Sequence, residues 1–202
     1  MKNFEYIVAS LPAVTQDWKF TDSVNADTLV KEIREHCDRR DNALIDFLLD
    51  GFREENLDEA FYTRALAHRN RFIRDYFRMD LAVRNAKVRY LNKRLGRPAG
   101  QDCVTVGEEQ EAPSPAIDAL FATEDLLERE KRIDTFLWNR IQELTVADLF
   151  DIEFLLGFIA RLHIINRWFL LDEGTGREMF RKLVDEVRGT FRGVEYDAAS
   201  TE

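Results

Sequence analysis

The stretch Phe154-Leu155-Leu156-Gly157-Phe158-Ile159-Ala160 carries no polar side chain. A helix through such a run has no solvent-facing stripe, so protein must surround it. The run belongs to an apolar segment ending near Leu171, and Thr145 with Asp148 offers a capping-box-like start. The spacing predicts a helix over 145–171, about 40 Å long at ~1.5 Å per residue, as the spine of the fold. Arg161, His163, Asn166 and Arg167 fall in its second half. Polar groups in that number at bilayer depth would cost several kcal/mol, which argues against a membrane span.

Outward from the spine, Gly174-Thr175-Gly176 predicts a break. A last amphipathic helix with Met179, Phe180, Leu183 and Val187 follows, then a frayed tail from about Gly193. On the other side, Ser114 is placed to cap a helix burying Ile117, Leu120, Phe121, Leu127, Ile133, Phe136, Leu137 and Ile141. Its charged middle, Glu124 to Arg132, reads as a solvated face. Residues 97–113 hold glycines and the acidic run Glu108–Glu111, and Pro113-Ser114-Pro115 punctuates their end. They read as a flexible loop in a single helical domain, joining candidate lobes 1–96 and 114–192.

The stretch 64–95 has a second strong period. Phe72, Tyr76, Met79, Val83, Ala86 and Tyr90 alternate spacings of four and three, a coiled-coil-like seam. Ile73, Phe77, Val88, Leu91 and Leu95 widen it, while Arg71, Arg74, Arg78, Asn85, Arg89 and Asn92 fall opposite. Asp80 and Arg84 lie inside the apolar arc, four apart, as a partly buried ion pair. Gly96 and Pro98 end the helix. Earlier helices are expected from Asn25 (Leu29, Ile33, Cys37) behind a cap offered by Ser23 or Asn25, from Asp41 to about Glu54 (Leu44, Leu48, Phe52), and after an Asn56 cap. Residues 1–20 read as an irregular or short extended entry.

Composition agrees with an all-α, multi-helix bundle. In 202 residues Gly and Pro together number thirteen, about half of average usage, which disfavours a many-stranded β-protein. A chain this long can bury roughly 70% of its unfolded surface and needs no metal or disulfide staple. Two cysteines, Cys37 and Cys103, cannot form a disulfide framework and point to a reducing compartment. The first eighteen residues do not read as a secretory signal, so the expectation is a soluble intracellular protein.

The sequence offers little chemistry. His36, His68 and His163 are scattered, and there is no Glu-x-x-His element for a di-iron bundle. No Gly-x-Ser-x-Gly elbow appears, and neither cysteine has a nearby activating histidine apart from the adjacent His36-Cys37, whose side chains diverge on a helix. Gly174-Thr175-Gly176 follows a helix rather than a strand, unlike a phosphate-binding loop. No catalytic, cofactor or metal residues are therefore assigned, and the chain reads as not an enzyme. An unrecognised active site in a crevice between lobes is the remaining enzymatic reading.

Charge says more. Residues 64–97 hold eleven Arg or Lys against two Asp, net +9 in a chain of net −9. One reading is a nucleic-acid surface over 71–97 that neutralises phosphates. The other is an arginine-rich helix that meets acidic neighbours in its own fold or in a partner. The second is favoured, because the strip's aromatics fall on the apolar face, away from where bases would stack. Arg71, Arg74, Arg78 and Arg89 are then the candidate partner-docking residues.

Three stretches carry a family resemblance. Phe4-Glu5-Tyr6-Ile7-Val8-Ala9-Ser10-Leu11-Pro12 resembles the Tyr-Tyr-x-(Leu/Val)-Ala-Ser-Leu-Pro start of a bacterial family of undefined function, whose members are encoded among V-type ATPase subunits, notably in Bacteroidetes. Tyr76 to Asn85 is similar too, as is Leu162 to Phe180 with Asn166-Arg167-Trp168 and Asp172-x-x-x-Gly176-x-x-x-Phe180. These stretches also resemble the acidic-Leu-x-x-x-Asn helices of the V-type ATPase C/d family, the stalk proteins named C in bacteria and d in eukaryotes. That family builds a helical funnel from three similar lobes between the rotary shaft and the membrane ring, and this chain is shorter than such a funnel. The resemblance implies a non-catalytic stalk or adaptor subunit of a V-type ATPase or ATP synthase, partnered by the shaft and ring subunits and needing no cofactor. It implies a cytoplasmic place, peripheral to the inner membrane through the complex and not inserted in it. Asp80 and Asn85 are the matched motif positions.

Overall fold

A computed structural model describes residues 4–21, 23–107, 114–147 and 149–171, and all regular structure among them is helical. The fold is an all-α multi-helix bundle. The first helix, α1 (Glu5–Ser10), stands where an irregular entry is expected. Its six residues owe little to local signals, since no side chain caps it; Phe4 and Ile7 are buried in the core and hold it there. Pro12 follows, and residues 11–21 and 23–25 have no regular structure. Phe20 is buried, with its ring edge-on to Trp18 and Phe169.

Local chemistry sets the next boundaries. Asn25 caps α2 (Ala26–Glu35): its side chain accepts from Thr28 N, and the Thr28 hydroxyl accepts from Asn25 N, both at 2.9 Å. The helix α3 (Arg39–Asp50) starts behind the Asp38 cap, two residues before the expected Asp41. It ends at Gly51, where an added Cβ would lie 2.2 Å from the Phe77 ring, so the buried rings of Phe61 and Phe77 close directly on the backbone. Asn56 is not the expected cap of α4 (Glu59–Leu66). It ends a short 3-10 turn and donates to the Asp50 carboxylate (2.7 Å), while Asp58 caps α4 by accepting from Phe61 N (2.7 Å).

The long α5 (Arg71–Arg94) is capped by Asn70, whose side chain accepts from Ile73 N at 3.0 Å. Its seam is as read: Phe72, Tyr76, Met79, Val83 and Ala86 are buried and Tyr90 half-buried. Two expectations change at its C-terminal end. Leu91 and Leu95 are exposed, and Asn92, expected on the polar side, is buried. Beyond the cap the chain turns back through Gly96 (φ +66°), with Arg97 N bonded to Asn92 O at 2.8 Å. Asn92 Nδ2 then donates to Gln101 O at 2.6 Å. A buried amide fits there because the returning backbone needs a partner.

The helix expected from Ser114 divides. A short α6 (Pro115–Asp118) and a 3-10 turn at Ala119–Phe121 precede α7 (Leu126–Thr145), which Asp125 caps by accepting from Glu128 N at 2.7 Å. Leu127, expected inside, is exposed. The spine is α8 (Ile152–Leu171), twenty residues and about 30 Å rather than 40 Å. Thr145 is the buried last residue of α7, its hydroxyl donating to Ile141 O at 3.0 Å. Asp151 accepts from Phe154 N at 2.9 Å and begins α8 in its place. Asp148, the acidic run 108–111 and every expectation beyond 171 lie outside the described residues.

Leu155 to Ala160 are all buried, as the apolar run requires. α8 touches α2, α3, α5 and α7, and α4 packs along α5. One apolar core runs from Phe4 through α2–α5 to Trp138, Ile141 and α8, so the stretches 1–96 and 114–171 share it. A smaller cluster of Val83, Ala86, Ile117, Phe121 and Ile133 joins α5, α6 and α7.

Candidate functional site

The arginine face of α5 divides in two. In its first half, Asp75 is shared by three guanidinium groups: Arg78 at 3.0 Å, Arg74 at 3.5 Å and Arg71 at 3.7 Å. The helical spacing brings them together on Asp75, and the Glu153 carboxylate also acts on Arg71. Arg71, Asp75 and Arg78 border a groove of about 790 Å³ between α5, α6 and α7, whose walls include Met79, Ile117, Phe136 and Leu144, with Arg140 and Glu143 paired at its edge. Glu153, at the start of α8, lies against the backbone of Arg71 and Phe72; burial and the neighbouring Asp151 push its carboxyl up.

The second half of the face is spent within the fold. Arg89 bonds Asp118 at 3.4 Å, Lys87 bonds Glu130 at 3.1 Å, and Arg94 bonds Glu124 at 3.4 Å. Arg89 also sits ~16 Å along the axis from Arg78, so the structure unites Arg71, Arg74 and Arg78 but not Arg89. Arginine-rich α5 thus meets single acids of α6, of α7 and of the turn before it, with these pairs each contributing at most ~1 kcal/mol.

Asp80 and Arg84 share one side of α5 and are half-buried, but the Asp80 hydrogen-bond donor is the buried Tyr62 hydroxyl of α4, at 2.6 Å. The expected direct ion pair gives way to a trio. Burial pushes the Asp80 carboxyl up, and the Tyr62 bond and the Arg84 charge pull it back. Burial and Asp80 likewise raise the Tyr62 phenol, so this oxygen stays a donor. An α5 periodicity cannot show Tyr62 arriving from α4.

Asn85 has a defined task. Its side-chain amide donates to Val104 O at 2.8 Å and accepts from Val104 N at 3.0 Å. With Asn92 two turns later, it holds residues 97–104 back along α5, the stretch read from sequence as a flexible loop.

The cluster missed by sequence reasoning joins α7 to α8. Asp134 is 5% exposed and accepts from Arg167 Nη2 and Trp168 Nε1. Arg167 also bonds Glu130, which Lys87 reaches from α5, so one chain of charges ties three helices together. Burial pushes the Asp134 carboxyl up, against the pull of Arg167 and Trp168. The available signal was an aspartate inside the apolar pattern Ile133, Phe136, Leu137. Asp134 and Trp168 also line a cleft of about 490 Å³ with Trp18, Phe20, Lys131 and Phe169.

Among the described residues no three His, Cys, Asp or Glu are grouped to hold a metal ion, and no helix is long and apolar enough to cross a membrane. The histidines are structural. His36 Nδ1 meets Glu32 O, His68 Nδ1 accepts from Asn70 N, and His163 stacks on Phe52 with centroids 4.1 Å apart.

A family model described as a protein of unknown function (DUF2764) matches residues 115–190, which begin at α6 and take in α7 and α8. No curated protein and no solved structure matches the chain.

Proposed function

We propose that this chain is a non-catalytic helical stalk or adaptor subunit of a V-type ATPase or ATP synthase, linking the central shaft to the membrane ring from the cytoplasmic side. The partners rest on the resemblance at 4–12, 76–85 and 162–180, read from sequence. The observation that carries a docking role is the trio Arg71, Arg74 and Arg78 around Asp75, of which Arg71 and Arg78 line a groove with apolar walls. Surplus charge of one sign steers an acidic partner and sets its register, and apolar walls supply contact area. The ionic chain Lys87–Glu130–Arg167–Asp134 bridges α5, α7 and α8 and suits a part that transmits force without its helices sliding. The nucleic-acid alternative has less to draw on, because Lys87, Arg89 and Arg94 are engaged by Glu130, Asp118 and Glu124.

Co-expression with the neighbouring ATPase subunits and affinity purification at moderate salt tests the role. The tagged chain is expected to bring shaft or ring subunits with it. Intact ATPase lacking this chain, with hydrolysis still coupled to ion flux, refutes the role, and binding to RNA or DNA at the same salt would favour the alternative. The double variant Arg74→Glu, Arg78→Glu is expected to weaken recovery at least tenfold; unchanged recovery acquits the surface alone.

A further inference from the structure

Arg161 is the one Arg or Lys in the first fifteen residues of α8. Its guanidinium lies over three aromatic rings, 5.5 Å from the centroid of Trp138, 5.7 Å from Phe158 and 5.9 Å from Phe154. Its Nε is fully buried and has no hydrogen-bond partner, and among the described residues no carboxylate pairs with the group. Arg84 has the other such buried Nε, but Asp80 and Tyr62 lie beside it and answer its charge.

Among the described residues, the acids of α7 and of the start of α8 are committed elsewhere. On α7, Glu128 pairs with Arg132, Glu130 with Lys87 and Arg167, Asp134 with Arg167 and Trp168, and Glu143 with Arg140. At the start of α8, Asp151 accepts from Phe154 N and Glu153 lies against the start of α5. Ring faces offset part of the cost of desolvating a cation, but they accept no directed N–H bonds. A half-buried, planar donor fork that keeps its charge and lacks an acceptor is poorly placed for stability and well placed for an incoming anion.

We propose that Arg161, framed by Trp138, Phe154 and Phe158, is a binding site for a single carboxylate. The charge count selects this ligand. One guanidinium matches one negative charge in a bidentate pair, and Arg167, the next cation along α8, is already held by Asp134 and Glu130. The proposal is independent of the ATPase reading, since neither its residues nor its ligand enter that argument. The carboxylate comes from an acidic side chain or from a chain terminus, and the chemistry is the same for both.

The full-length protein is titrated with sodium acetate against sodium chloride at constant ionic strength, following the Trp138 indole N–H and the Arg161 Nε–H by NMR. Two tetrapeptides then separate the sources, one with a glutamate and an amidated end, the other all alanine with a free carboxylate end. Acetate is expected to shift both resonances to saturation, and chloride to leave them in place. Arg161→Met is expected to abolish the response and to keep or raise Tm, because it removes a buried cation without a partner. Arg161→Lys keeps the charge without the fork and is expected to weaken the response by about tenfold. Equal shifts with acetate and chloride, or a response that survives Arg161→Met, overturns the proposal. A large fall in Tm for Arg161→Met, with no acetate response in the parent protein, also overturns it and makes Arg161 a packing residue.

Discussion

Replacing Gly157 by alanine tests a close contact between α7 and α8. Alanine in a helix interior is worth ~1 kcal/mol over glycine, so local propensity alone predicts a more stable protein. Gly157 faces α7, however, and its new methyl would lie 2.4 Å from Thr145 Cγ2, with Ile141 Cγ2 at 3.3 Å and Phe72 Cε2 at 3.4 Å. Ordinary carbon contacts are about 3.5–4.0 Å, so more than 1 Å must be found. Thr145 is stiff at χ1, and its hydroxyl is tied to Ile141 O at 3.0 Å and Gln142 O at 3.2 Å. Overpacking such a site costs about 1–3 kcal/mol, which outweighs the propensity gain. The net expectation for Gly157→Ala is a loss of up to about 2 kcal/mol, or up to roughly 8 °C in Tm at this chain length. Thr145→Ser keeps the hydroxyl and removes Cγ2, so the double variant should recover at least ~1 kcal/mol relative to the sum of the single changes. Thermal and urea unfolding followed by far-UV circular dichroism measures all four corners of the cycle. A higher Tm for Gly157→Ala alone refutes the reasoning, because α7 would then stand further from α8 than the contact requires.

Asp134→Ala removes the acceptor shared by Arg167 and Trp168 and leaves a cation beside buried surface. About 3 kcal/mol is expected from urea unfolding, at the low end for a broken buried pair because Arg167 is 40% exposed. A change below ~0.5 kcal/mol would demote the network to surface decoration. His163 is an exposed residue whose ring stacks on Phe52 beside Arg167; desolvation of the stacked ring and that charge lower its pKa to about 4. The folded value lies below the unfolded one, so its contribution is present above pH ~6.5 and is lost as pH falls through about 4. Tm measured against pH should therefore fall less steeply in this window for His163→Phe than for the parent. The raised carboxyls of Asp80 and Asp134 act with opposite sign, but both proteins carry them and the difference cancels their effect. Identical slopes would show that His163 titrates as an ordinary exposed histidine.

The sequence by itself determined that the chain is helical and which helix is its spine. Seven apolar residues at 154–160, the seam Phe72 to Ala86 and the cap Asn25 act over one to four residues, and that range is what a period reports. The trio Arg71, Arg74 and Arg78 was legible for the same reason, since neighbours on one helix face meet whatever the rest of the chain does. Tertiary structure decided everything that rests on a partner distant in sequence. Asn92 is buried because residues 97–101 return to it. Thr145 ends a helix instead of starting one because it packs against Gly157. Asp80 bonds Tyr62 rather than Arg84 because α4 lies along α5. The candidate docking face lost Arg89 to Asp118, and the Asp134–Arg167–Trp168 cluster joins residues more than thirty positions apart. Local spacing encodes a helix and its faces; which charge meets which follows only from how the helices pack.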